Sequence, residues 1–129
     1  MYKIVLFCSV ILIFGCRDNQ NIELGAETTM VFKSTVFNAG QVYKGEVVTA
    51  VFEVENTGEN PLVFGEVRPS CTCTLAKKPT KPLMPGKRTK IIAKVNTDEL
   101  HTKRIHKAVT VMTNTSPNIT VLEIKGTIK

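Results

Sequence analysis

From Met30 onward the sequence consists of short apolar runs separated by turn-forming residues, and this pattern limits the folds that the chain can adopt. The clearest run is EVVTAVFEVEN at residues 46–56, where apolar side chains at every second position, from Val48 to Val54, alternate with others that become polar toward the end. A period of two indicates a β-strand with one buried face. No segment shows a helical repeat over about eleven residues. We therefore expect an all-β protein.

Turn signals divide the rest of this region into further short strands. Asn-Thr-Gly-Glu-Asn-Pro at residues 56–61 and Pro-Gly at residues 85–86 are strong turn sequences. About seven antiparallel strands in a chain of this size are typical of an immunoglobulin-like β-sandwich, and a small barrel is the competing fold. The other predicted strands are residues 30–37, 62–67, 71–76, 89–97, 104–114 and 119–129.

The N-terminal residues 1–15, MYKIVLFCSVILIFG, differ from the rest of the chain. Their apolar run is too short for a bilayer, which needs about 20 residues, and it is typical of the core of a signal peptide. The junction Ile-Phe-Gly-Cys resembles a bacterial lipobox, which implies cleavage before Cys16 and a diacylglycerol on its sulfur. The alternatives are a soluble protein in which Cys16 is incidental, or a short uncleaved anchor.

These features predict three segments: a lipoprotein signal peptide at residues 1–15, a polar tether at 16–29 and one immunoglobulin-like domain at 30–129. The expected location is the bacterial cell envelope, on the periplasmic or surface side, with the membrane contacted through the N-terminal lipid. The net charge of +6 is mild, and the basic residues are not interleaved with aromatic ones. We therefore expect an envelope protein or a glycan as the partner, and no nucleic acid.

Several motifs occur in order between about residues 33 and 128. They are Phe37 with Gly40, Gly45-Glu46, Asn56-Thr57-Gly58 with Pro61-Leu62, Ser70-Cys71-Thr72-Cys73-Thr74, and Pro85-Gly86. With these motifs the chain resembles the domain-of-unknown-function 1573 (DUF1573) family of bacterial envelope proteins, which are similar to Hydin-type immunoglobulin-like domains. This resemblance implies the fold, export and a binding or structural role, and it lends no activity. Thr72 stands where the family usually has glycine.

Cys71 and Cys73 are the cysteines that remain if Cys8 leaves with the signal peptide and Cys16 carries lipid. In an extended strand, Cα atoms two residues apart are about 6.6–6.8 Å from each other, whereas a disulfide prefers about 5.5–6 Å. A bulge would ease a bridge, but the β-branched Thr72 favours the extended form. Four states stay open: free thiols, a strained structural or redox-active bridge, a disulfide to another chain, and a copper or zinc site.

A metal site would need more ligands than the two cysteines. The soft or imidazole candidates are Met84, His101, His106 and Met112, and none lies at a recognised spacing. The basic segment HTKRIHK at residues 101–107, which contains both histidines, is interpreted as a solvated edge.

The sequence also lacks a Ser-His-Asp pattern and a phosphate-binding glycine loop. We therefore expect no catalytic residues, no cofactor and no enzyme, but a module for protein–protein or protein–glycan interaction. The alternative is a copper-binding or redox protein that uses Cys71 and Cys73.

Overall fold

The computed structural model describes residues 26–129. The predicted signal peptide, the lipidation site Cys16 and most of the predicted tether lie outside the described residues. The described part contains eight strands and one turn of 3₁₀ helix. The strands are β1 (Met30–Phe32), β2 (Val36–Val42), β3 (Val47–Asn56), β4 (Phe64–Pro69), β5 (Thr74–Lys77), β6 (Arg88–Asn96), β7 (Arg104–Thr113) and β8 (Ile119–Ile128), and the 3₁₀ turn is Thr97–Glu99.

The strands form two four-stranded sheets that pack face to face as a sandwich. Sheet A has the order β1-β3-β6-β5, and sheet B has the order β2-β8-β7-β4. The predicted all-β, immunoglobulin-like sandwich is confirmed. The pairings are antiparallel except that β2 runs parallel to β8, so the prediction of antiparallel strands throughout is wrong for this pair.

The first predicted strand, residues 30–37, is in fact two strands that belong to different sheets. Ser34 interrupts it, because its hydroxyl donates to the carbonyl of Val36 and accepts from the amide of Val36 at 2.8 and 3.2 Å. Such local hydrogen bonds replace those of a sheet ladder. The chain therefore crosses from β1 in sheet A to β2 in sheet B, which gives eight strands instead of about seven.

The core lies between the two sheets and is built from alternate residues of each strand. In β3 the alternation predicted from the sequence is confirmed, since Val48, Ala50, Phe52 and Val54 are all buried. The ring of Phe37 from sheet B meets the ring of Phe52 from sheet A edge to face, with 6.5 Å between the centroids. Each sheet thus buries one face against the other and exposes its second face.

Residues 26–29, which lead into the domain, lie at one end of the sandwich, here called the proximal end. Thr28 is buried there, and its hydroxyl donates to Oδ1 of Asn56 at 3.0 Å. The side-chain amide of Asn114 donates to the carbonyls of Ala26 and Pro61 at 2.7 and 2.9 Å. Residues 26–29, which were predicted as the last part of the tether, are therefore docked on the domain.

The opposite end, here called the distal end, contains the start of β7 and the end of β8. The turn that holds Cys71 and Cys73 is also here, because the amide of Asn96, at the end of β6, donates to the carbonyl of Cys73 at 2.9 Å. The cysteines and the N-terminal attachment thus lie at opposite ends of the domain.

Candidate functional site

Cys71 and Cys73 are joined by a disulfide bond, with their Cα atoms 5.3 Å apart. They lie in a turn between β4 and β5, in which the amide of Thr74 donates to the carbonyl of Cys71 at 3.2 Å. The predicted strand at residues 71–76 is wrong for the cysteines, since β5 begins only at Thr74. The turn brings the two Cα atoms closer than an extended strand would, and Thr72 does not prevent it.

The two sulfurs differ in their access to solvent. Cys73 is 7% exposed and belongs to the core, whereas Cys71 is half-buried and packs at its margin. The hydroxyl of the buried Thr74 lies 3.6 Å from the sulfur of Cys71 and 3.7 Å from that of Cys73. Cys71 is therefore the more solvent-exposed of the two bridged residues.

The other candidate metal ligands are not collected around the cysteines. Met84 is in the loop near Asn56, and Met112 is near the end of β7, so both methionines lie toward the proximal end. His101 follows the 3₁₀ turn, and His106 lies on β7 with its ring 3.7 Å from the carboxylate of Glu123. Within residues 26–129, no three His, Cys, Asp or Glu side chains are grouped to hold a metal ion.

Charged side chains meet on the outward face of sheet B. Lys125 lies opposite His106 in the β7–β8 register, and its Nζ is 2.6 Å from Oε2 of Glu123. The hydrogen bond and charge of Lys125, with a smaller contribution from His106, hold the pKa of Glu123 below its ordinary value of 4.5. Glu123 is therefore a carboxylate at neutral pH and is already engaged by a cation.

The proximal half of the same face carries an aliphatic patch, defined as Met112, Ile119 and Val121. These side chains are 37%, 49% and 48% exposed, and Met112 lies directly opposite Ile119. The sequence of β8 could not reveal the patch, because Ile119 and Val121 alternate with Leu122 and Ile124 and either set could have faced the core. The structure buries the second pair and exposes the first.

These observations define the chain as an immunoglobulin-like β-sandwich domain with a half-buried disulfide. The family described as "Protein of unknown function (DUF1573)" matches residues 30–128. The chain belongs to this family. No curated protein matches the chain.

Solved structures share the fold at low sequence identity. A protein of unknown function from Porphyromonas gingivalis W83 is 20% identical with a TM-score of 0.71, covering 85% of this chain and 51% of that one. The present chain thus spans about half the length of that protein. The ASH/PapD-like domain 7 of human CEP192 is 12% identical with a TM-score of 0.60, covering 80% and 87% of the two chains. The secreted serine protease VesC from Vibrio cholerae is 13% identical with a TM-score of 0.56, covering 86% and 24%.

Within residues 26–129, no helix has the length and hydropathy that crossing a bilayer requires.

Proposed function

We propose that this protein is a lipid-anchored, non-catalytic binding domain of the bacterial cell envelope, which contacts an envelope protein or glycan. The observation that carries the proposal is the aliphatic patch of Met112, Ile119 and Val121 on a domain whose core is already complete. Exposed aliphatic side chains grouped on a rigid sheet are characteristic of contact surfaces. The sequence N-terminal to the domain supports the anchor through Cys16.

Photo-crosslinking in intact cells tests this function. A benzoylphenylalanine placed at Val121 in the full-length protein is expected to form a discrete adduct with an envelope component. Ile119→Ser should weaken the adduct, because it makes the neighbouring surface polar. The matched control carries the same probe at Lys90, which is exposed on the outward face of sheet A. No adduct at position 121, or the same adduct at position 90, would contradict the proposal.

A second candidate function is thiol–disulfide exchange, which the half-buried sulfur of Cys71 favours. An incoming thiolate would bond to the sulfur of Cys71, and the Cys71–Cys73 bond would break with Cys73 leaving as a thiolate. The hydroxyl of Thr74 is placed to donate to that thiolate. A second thiolate would then attack the sulfur of the first in this mixed disulfide. The two small thiols would leave as their own disulfide, Cys71 would leave as a thiolate, and both cysteines would be reduced.

Equilibration of the full-length protein in glutathione buffers tests this second function. If the bridge takes part in exchange, alkylation and mass spectrometry should show the reduced fraction of Cys71 and Cys73 rising as reduced glutathione is increased. Cu(I) added to the reduced protein should slow alkylation if the pair also binds copper. A bridge that stays oxidised at every glutathione ratio would be structural and would exclude the redox function.

A further inference from the structure

The outward face of sheet B has a shallow depression at the distal end, with a volume of about 600 Å³. A second depression of about 610 Å³ lies beside it and shares Arg104, His106 and Thr127. The first is lined mainly by Asn38, Gln41, Arg104, His106, Lys125 and Thr127, and the second adds Lys103 and Lys107. We call the two together the basic depression.

The β-sheet register brings these side chains together from three strands. Arg104 lies opposite Thr127, and His106 opposite Lys125, in the antiparallel pair β7–β8. Asn38 of β2 is in register with Lys125 on the other side of β8. All five residues are exposed, and alternation along the strands places them on the outward face.

The basic depression has unbalanced positive charge. Its neighbouring carboxylate, Glu123, is already 2.6 Å from the ammonium of Lys125. In the described part of the chain, neither Lys103 nor Arg104 has a carboxylate within 4.0 Å. Guanidinium and ammonium groups without a partner are suited to carboxylate, sulfate or phosphate groups of a ligand.

The uncharged groups in the basic depression favour a sugar over a protein surface. The side-chain amide of Gln41 and the hydroxyl of Thr127 can donate to and accept from sugar hydroxyls. The NH₂ group of Asn38 can also donate, whereas its Oδ1 already accepts from the amide of Gly40 at 2.9 Å. The aliphatic patch, which has the apolar character of a protein interface core, is at the other end of this face. We propose that the basic depression binds an anionic polysaccharide, with the cations on its acidic groups and the amides on its hydroxyls.

The position of the depression favours a polysaccharide over the headgroups of the anchoring membrane. The amide of Thr28 donates to the carbonyl of Asn114, just beyond the C-terminal end of β7, whereas Arg104 begins that strand. Strand β7 has ten residues, each rising about 3.3–3.4 Å, so the contact of Thr28 with Asn114 lies about 30 Å from the basic depression. This inference rests on the proposed function, since it names the ligand class of one face of a lipid-anchored binding domain.

Calorimetric titration of the full-length protein in a non-ionic detergent tests the inference. Dextran sulfate and polygalacturonate are expected to bind, whereas dextran, which has no charge, is not. Lys103→Gln with Arg104→Gln should weaken binding about tenfold or more, because both charges would contact the ligand. The matched control, Lys90→Gln with Lys94→Gln, removes two exposed charges from sheet A and should change affinity by about twofold or less.

A substitution that leaves the charge unchanged distinguishes a specific binding site from general electrostatic attraction to a basic surface. Gln41→Ala changes no charge and should still weaken binding measurably, because it removes a hydrogen-bonding group that lines the depression. The inference would be overturned if the double variant at Lys103 and Arg104 and the control at Lys90 and Lys94 lost equal amounts of affinity. It would also be overturned if neither polyanion bound. Stronger binding to phosphatidylglycerol vesicles than to polyanions, with the same dependence on Arg104, would also overturn it in favour of lipid headgroups. The crosslinking at Val121 is independent of these results, so the proposed function can stand if the polysaccharide inference fails.

Discussion

At the scale of single residues, Asn56 belongs to a predicted turn, and its side chain also joins separate parts of the chain through hydrogen bonds. Its Oδ1 accepts from the hydroxyl of Thr28 and the amide of Gly58, at 3.0 and 3.1 Å. Its side-chain amide donates to the carbonyls of Asn60 and Leu83, both at 2.8 Å. The sequence predicted a turn at Asn-Thr-Gly, but it could not show that a residue 28 positions earlier closes over this asparagine.

Asn56→Ala should destabilise the protein by about 3 kcal/mol, because several buried polar partners would lose their hydrogen bonds. Asn118→Ala is the matched control, since Asn118 is exposed and its side chain makes no hydrogen bond within residues 26–129. Urea unfolding of both variants measures the difference. Similar urea midpoints for the two variants would show that the hydrogen bonds of Asn56 contribute little to stability.

At the scale of strands, alternation predicted where most strands are, but not always which side faces the core. The buried face of the strand at residues 46–56 could be predicted, because its outward residues become polar. That of β8 could not, because apolar residues lie on both of its faces near its start. The division of residues 30–37 was hidden because one serine hydroxyl ends β1. The cysteine turn was missed because the β-branched Thr72, between the two cysteines, suggested an extended chain.

The two sides of β8 should respond differently to truncation. Leu122→Ala should cost about 2–5 kcal/mol, since Leu122 is fully buried and its removal leaves a cavity. Ile119→Ala should cost about 0.5 kcal/mol or less, because this side chain is 49% exposed. Thermal unfolding followed by circular dichroism compares them, and a larger loss at Ile119 would reverse the assignment of the two faces.

One sheet edge is contacted by the basic loop KKPTKP at residues 77–82. The ammonium of Lys78 donates to the carbonyls of Phe64 and Gly65 in β4, which is an edge strand of sheet B. It therefore occupies acceptors that another strand could otherwise use. Part of this loop protects a sheet edge, as lysines commonly do at exposed edges.

At the scale of the whole molecule, the fold class could be predicted from the number and spacing of strands. The cysteine pair could also be singled out, but the aliphatic patch and the basic depression could not, because they depend on strand register and on which strands are neighbours. Arg104 and Asn38 are 66 positions apart in the sequence, and they line one depression only because β2 and β7 both pair with β8. The parallel pairing of β2 with β8 forms only in the folded domain, so neither strand sequence alone could predict it.

The proposed anchor is also a property of the whole chain. Cys16→Ala should abolish metabolic labelling of the protein with palmitate in the bacterial host and release it from the membrane fraction, because the acylated sulfur would be missing. Cys71→Ala is the control, since this cysteine is in the domain and should leave labelling unchanged. Equal labelling of wild type and Cys16→Ala would contradict lipidation at this residue.

The position of residues 26–29 at the proximal end has a mechanical consequence. If the domain holds a ligand at its distal end while its tether is held in a membrane, tension runs along the strands and not across them. The load would pass from the contacts of Thr28 into the antiparallel β1–β3 and β7–β8 pairs, whose hydrogen bonds lie nearly perpendicular to the pull. Bonds loaded in this way share the shear and have to break together, so the sandwich would resist opening under such a pull.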